Sequence, residues 1–241
     1  MTRILILIGL VTIFSCTNKT QDNMGLFSKL FGKKQTQKDF TEEEWNQHYE
    51  LKQKGLEAVL GKMHDMVGHA IVPFDIGGTL DIYYFLQGIP GTGFATMELI
   101  KPDGTGPIPN RLGTYELVSF SKLPYDSSEN ESPFNKIQGR LNGIMTSIAY
   151  YSLQAKLEPK ETAEVPGDEG EPNFCLLFDN YNPNGQEFRI GENSHGLLLI
   201  IEIFKDEMDF ARNNGTDKLI EKLKSSGHYP YSDLDRESVV R

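Results

Sequence analysis

Apolar residues recur at helical spacing in the chain, and elsewhere come in short runs cut by glycine and proline. Thr41-Glu42-Glu43-Glu44 carries a capping box, with Thr41 to cap and Glu44 three residues on. The spacing predicts a helix from there to about Lys62 that buries Trp45, Tyr49, Leu56, Val59 and Leu60, weakened in the middle by Gly55. A second, longer helix is expected from about Phe134 to Gln154, with Ile137, Leu141, Ile144, Met145 and Ile148 as its apolar face. Strands are expected at Ala70 to Phe74, Leu80 to Leu86, Phe94 to Ile100 and Thr114 to Phe120, each bounded by Gly or Pro, in the manner of an antiparallel meander. Further strands follow at Phe174 to Phe178, Phe188 to Ile190 and Leu197 to Phe204. The run Leu197-Leu198-Leu199-Ile200-Ile201 has no polar alternation, which places it centrally with both faces covered. Glu158 to Pro172 is acidic, rich in Pro and Gly, and without periodicity, so it reads as an exposed loop. Two short helices close the chain, Asp206 to Asn213 and Thr216 to Ser226, with Gly215 as the cap between them. The order helix, strands, helix, strands, helices predicts an α+β fold, a mainly antiparallel mixed sheet with helices packed on it.

The beginning of the chain follows other rules. Arg3 precedes an apolar run from Ile4 to Phe14, too short to span a bilayer, which needs about 20 residues. Ile13-Phe14-Ser15-Cys16 then resembles the lipobox of bacterial lipoproteins, in which the Cys16 thiol is acylated and the peptide is cut before it. One acyl chain holds a protein only marginally and several hold it stably. The expected division is therefore a signal peptide over 1–15, a lipid-anchored basic tether over 16–38 and one domain over 39–241, with the mature chain at the bacterial envelope. Met24 offers an alternative start, which would leave the chain cytoplasmic. Leu26, Phe27, Leu30 and Phe31 share a helical face beside Lys29, Lys33 and Lys34, so this stretch reads either as a membrane-surface helix or as a solvated leash.

Charge narrows the partners. Across 241 residues, 34 acidic side chains oppose 24 Lys and Arg, a net charge of −10 that argues against nucleic acid. Glu158, Glu161, Glu164, Asp168, Glu169 and Glu171 crowd one loop. They are either simply solvated or, with Asp168, Glu169 and Glu171 at the centre, a docking surface for a basic protein. With Cys16 acylated, Cys175 is the remaining thiol, and its apolar run Phe174 to Phe178 makes it a buried small hydrophobe.

No catalytic or metal-binding set emerges. Gly88-Ile89-Pro90-Gly91-Thr92-Gly93 has phosphate-loop glycines, but Phe94 and Ala95 stand where Lys and Ser/Thr are needed, so it reads as a hairpin turn. His64 and His69 are five apart, off the spacing of a helical ligand pair, and Ser194-His195 beside Glu192 lacks a nucleophile elbow. No cofactor is expected.

Two segments resemble the suppressor-of-fused domain. The first runs from Leu80-Asp81-Ile82-Tyr83-Tyr84-Phe85 through Gly93-Phe94-Ala95-Thr96-Met97-Glu98-Leu99 to Gly113-Thr114-Tyr115-Glu116-Leu117-Val118. The second is Leu197 to Phe204 followed by Glu207, Gly215, Leu219 and Leu223, with Asp235-Arg236 near the end. The resemblance implies a non-enzymatic α+β domain that works by binding protein, in animal members partly by strand addition. Bacterial members are proposed as immunity proteins that neutralise toxins. The alternatives are an envelope hydrolase and a ligand-binding or scaffold lipoprotein.

Overall fold

The computed structural model describes residues 40–128, 131–167 and 173–241, apart from the Asn184 side chain. The first element is α1 (Glu42–Leu60). Thr41 Oγ1 accepts the Glu44 N–H while the Glu44 carboxylate accepts the Thr41 N–H, and Gly61 ends the helix with φ 84°. A meander follows: β1 (Met63–Gly68), β2 (Ile82–Phe85), β3 (Thr92–Ala95) and β4 (Tyr115–Ser121), each antiparallel to the next. Next come α2 (Pro133–Ser152), capped by Ser132, then β5 (Thr162–Val165), β6 (Phe174–Asn180), β7 (Phe188–Ile190) and β8 (Asn193–Ile203). The helices α3 (Lys205–Asn214) and α4 (Thr216–Ser225) close the order, with Gly215 between them at φ 100°.

The sheet runs β1-β2-β3-β4-β8-β6-β5, with β7 folded back on the start of β8. Its one parallel pair, β4 with β8, joins the meander to the second group of strands. Side chains alternate cleanly between two cores. Leu197, Leu199, Ile201 and Ile203 of β8 face one layer with residues of α1, α3 and α4. Leu198 and Ile200 face the other, against Phe134, Leu141, Ile144, Met145 and Ile148 of α2. The apolar run of β8 is thus covered on both faces, as its pattern requires.

Two fully buried ion pairs, Lys52–Glu116 and Arg236–Glu207, and a third whose Arg140 side is exposed while Glu202 is buried, tie the layers together. Lys52, fully buried in α1, donates to Glu116 of β4 (2.8 Å) and to the Met97 and Ile100 carbonyls. Glu202 of β8 takes a paired bond from Arg140 of α2 (2.7 and 2.5 Å). Glu207 of α3 takes another from Arg236 (2.5 and 2.8 Å) and accepts the Val239 N–H, which fastens the C-terminal segment. Such pairs add little net stability but make removal of one partner costly.

The structure corrects several expectations. Trp45 and Tyr49 are exposed, because α1 packs by Lys52, Gly55, Leu56, Val59 and Leu60, all in its second half. Gly55 is the contact itself: a Cβ there would stand 1.9 Å from the Arg189 carbonyl oxygen of β7. The expected strand at Ala70 to Phe74 is a loop ending in a 3-10 turn, Phe74–Ile76, since Pro73 offers no N–H to a ladder. The edge strand lies earlier, at β1. The expected strand over Phe94 to Ile100 stops at Ala95, where Glu116 captures the Thr96 hydroxyl and the Leu99 and Ile100 N–H groups and bends the chain. The Glu158 to Pro172 stretch is not all loop: Thr162 to Val165 pair with Leu177 to Phe174 as β5.

Candidate interaction surface at the open edge of the sheet

Cys16 and the acidic residues Asp168, Glu169 and Glu171 lie outside the described residues, as does the 16–38 tether. The neighbouring acids are engaged locally. Glu158 pairs with Lys156 at 2.5 Å and accepts the Arg111 N–H, bonds that hold its carboxyl below the ordinary range. Glu161 accepts the Glu158 N–H, and Glu164, on β5, accepts from the Asn173 carboxamide.

The other sequence candidates are dispersed. His48 donates to the Ile100 carbonyl (2.8 Å), His195 bonds Thr114, and His64 stacks on Tyr125. Ser194 turns to Glu187, away from the His195 partner. Among the described residues no group of three metal-ligating side chains stands together. Cys175 is buried in β6, where burial and then Glu164 push its thiol up. Gly91, in the β2–β3 hairpin, has φ 95°, and a Cβ there would fall 2.1 Å from the Ser121 carbonyl oxygen. The glycine serves a close approach of two turns.

The concentration of exposed apolar surface is at β1. This strand is an open edge of the sheet, and its pairing with β2 is irregular between Met63 and Val67. Met66 projects from it, half exposed. Beyond it the loop 69–79 carries Ile71 at 100% exposure, Val72 at 47% and Ile76 at 75%. That loop is closed rather than loose: the Thr79 N–H donates to the Val72 carbonyl, the Gly78 N–H to Pro73, and Phe74 packs on Tyr150 of α2 at 4.4 Å. A Cβ on Gly78 would overlap the Val72 carbonyl oxygen at 1.7 Å, so only glycine lets the loop close. Three large aliphatic side chains are therefore held out in water by an ordered backbone, which is the signature of a contact surface.

Asp81 builds the root of this loop. Its carboxylate takes the Ala70 N–H and the His69 ring N–H, both at 2.8 Å, while its own N–H donates to Glu98 at 2.8 Å. Burial, then the Asp81, Glu116 and Asp75 charges, push the Glu98 carboxyl up to about 7 against the bond it accepts from Asp81. Tyr83 of β2 and Tyr49 of α1 lie beside each other next to this cluster, ring centroids 6.1 Å apart, and burial raises both phenols. His69, Asp81 and Glu98 were within reach of sequence reasoning, since each polar side chain sits next to an apolar strand. Their convergence depends on strand register.

The architecture defines a three-layer α+β domain whose mixed sheet is joined by one parallel pair. It is a suppressor-of-fused-like fold. A solved structure described as "the Sufu-Fu complex crystal structure" is similar, with a TM-score of 0.52 over 79% of this chain and 90% of that chain, at 14% identity. No protein-family profile and no curated protein sequence matches the chain.

Proposed function

We propose that the chain is a non-enzymatic protein-binding module whose partner is a basic protein such as a toxin, held at a bacterial envelope by acylation of Cys16. The observation that carries the reading is the apolar loop Ile71, Val72 and Ile76 beside the outer edge of β1, on which no described strand pairs. An extended segment of a partner can add to such an edge through main-chain hydrogen bonds, with side chains seated against the loop. The net charge of −10, with Asp168, Glu169 and Glu171 close together in sequence, favours a cationic partner and speeds its approach. The solved structure of similar fold is itself titled as a protein complex.

The test is co-purification of the full chain from its own membranes, with a double variant Ile71→Asp and Ile76→Asp beside it. A stoichiometric partner held by the native chain and lost by the variant, at unchanged melting temperature, supports the reading. Equal retention by both, or no partner at all, refutes it. Replacing Asp168, Glu169 and Glu171 by Lys should slow association about 10-fold at low salt. Cys16→Ser should move the chain from the membrane fraction to the soluble one.

A further inference from the structure

A second surface, at the other end of the strands, has different chemistry. Where β6 runs out and β4 and β8 begin, a pocket of about 600 Å³ opens to solvent. Its floor is a fixed polar triad: the buried Asp179 carboxylate takes the Lys160 ammonium at 3.2 Å and the Tyr229 hydroxyl at 3.0 Å. Lys160 is placed there by a left-handed backbone, φ 74°, and it is the one non-glycine among the described residues with positive φ. Asp217 of α4 also pairs with Lys160, at 3.1 Å, so this cation is already compensated.

The cations of the walls lack an ion pair among the described residues. Arg111 faces the Glu158 charge and spends one guanidinium donor on the Pro159 carbonyl, and its remaining guanidinium donors bond no described residue. Lys224 lies over the Tyr229 ring, 4.6 Å from its centre, without a carboxylate partner. Asn180 and Asn182 are exposed, and among the described residues their carboxamides make no hydrogen bond. Two cations with guanidinium or ammonium donors to spare, Arg111 partly offset by Glu158, and two carboxamides without a hydrogen bond to a described residue thus converge on one concave site. An anion is the ligand such a site selects, and the amides suit hydroxyl groups, which both donate and accept.

We propose that this pocket binds a small hydroxylated anion, its phosphate or carboxylate held by Arg111 and Lys224 and its hydroxyls by Asn180 and Asn182. The Lys160–Asp179–Tyr229 triad sets the floor. This site is independent of the β1 surface, so either assignment can fail without the other.

Calorimetric titration of the full chain with glycerol 3-phosphate, glycerate, inorganic phosphate and glycerol tests it. The expected result is saturable binding of glycerol 3-phosphate or glycerate, whichever anion fits, tighter than inorganic phosphate, and none of glycerol. Arg111→Gln and Lys224→Gln, both exposed positions, should each weaken that binding about 10-fold with the melting temperature unchanged. Asn180→Ala should remove the advantage of the hydroxylated anion over inorganic phosphate. Absence of saturation with both organic anions, equal affinity for phosphate alone, or affinity indifferent to Arg111→Gln and Lys224→Gln would overturn the assignment.

Discussion

Glu98 is a carboxyl whose fold opposes its charge. Its value rises from an ordinary 4.5 to about 7, so between those limits the folded chain keeps a proton that the unfolded chain has released. Stability is therefore fullest below the unfolded value and falls as pH climbs through the window. Glu98 keeps some contact with water, which leaves an effect on the order of 1 kcal/mol. Glu98→Gln should flatten the stability curve between these limits and be the more stable form at pH 8 by about that amount. Urea melts at pH 4, 6 and 8 check this, and a variant curve that keeps the native slope would refute it. Side chains of this kind are the part of the site that sequence left unread. Lys52 occupies the centre of an otherwise apolar helical stripe, and Glu116 and Glu202 are lone charges in apolar strands. Each was a visible break in pattern, but the partner lies 64 residues away for the Lys52–Glu116 pair and 62 for Arg140–Glu202, which no local period reports.

At the scale of elements, legibility followed burial. The capping box at Thr41, the cap at Gly215 and the two-sided β8 all rest on local chemistry, and all are found as the sequence predicts. Strands β1 and β5 are the two edges of the sheet, covered on fewer sides, so they needed no apolar run and gave no strong signal. Gly55 shows how propensity alone misleads. By helix propensity Ala is better there by about 1 kcal/mol. With the Arg189 carbonyl oxygen 1.9 Å from the added Cβ, steric conflict wins. Gly55→Ala should destabilise by about 1–3 kcal/mol, read as an earlier urea midpoint, and α1 would have to withdraw from β7. A neutral or stabilising result would show that α1 sits less tightly on β7.

Across the whole molecule the C-terminal segment acts as a clasp. Ser232 donates its N–H to the Phe120 carbonyl of β4, and its hydroxyl accepts the Glu202 N–H of β8, so one serine bridges the two strands of the parallel pair. Asp233 caps the end of β4 by accepting from Ser121 and from the Lys122 N–H. The Arg236–Glu207 pair then locks the clasp to α3. Arg236→Met leaves Glu207 buried and uncompensated, and should cost about 3–5 kcal/mol in chemical denaturation. Adding Glu207→Gln should return part of that loss, whereas no recovery would mean that Arg236 acts mainly by packing on Phe204, over whose ring it lies at 4.8 Å.

The parallel join has a consequence for synthesis. Tyr115 of β4 pairs with Gly196 of β8, 81 positions later, while β1, β2 and β3 each pair with the strand that follows. A growing chain completes β1 to β4 long before β8 leaves the ribosome. During that interval β4, buried on both faces in the finished protein, presents a bare row of backbone donors and acceptors at the margin of a half-built sheet. Nascent chains stalled between Ser121 and Asn193 should therefore recruit holding chaperones and aggregate when released without them, and chains extended past Ile203 should not.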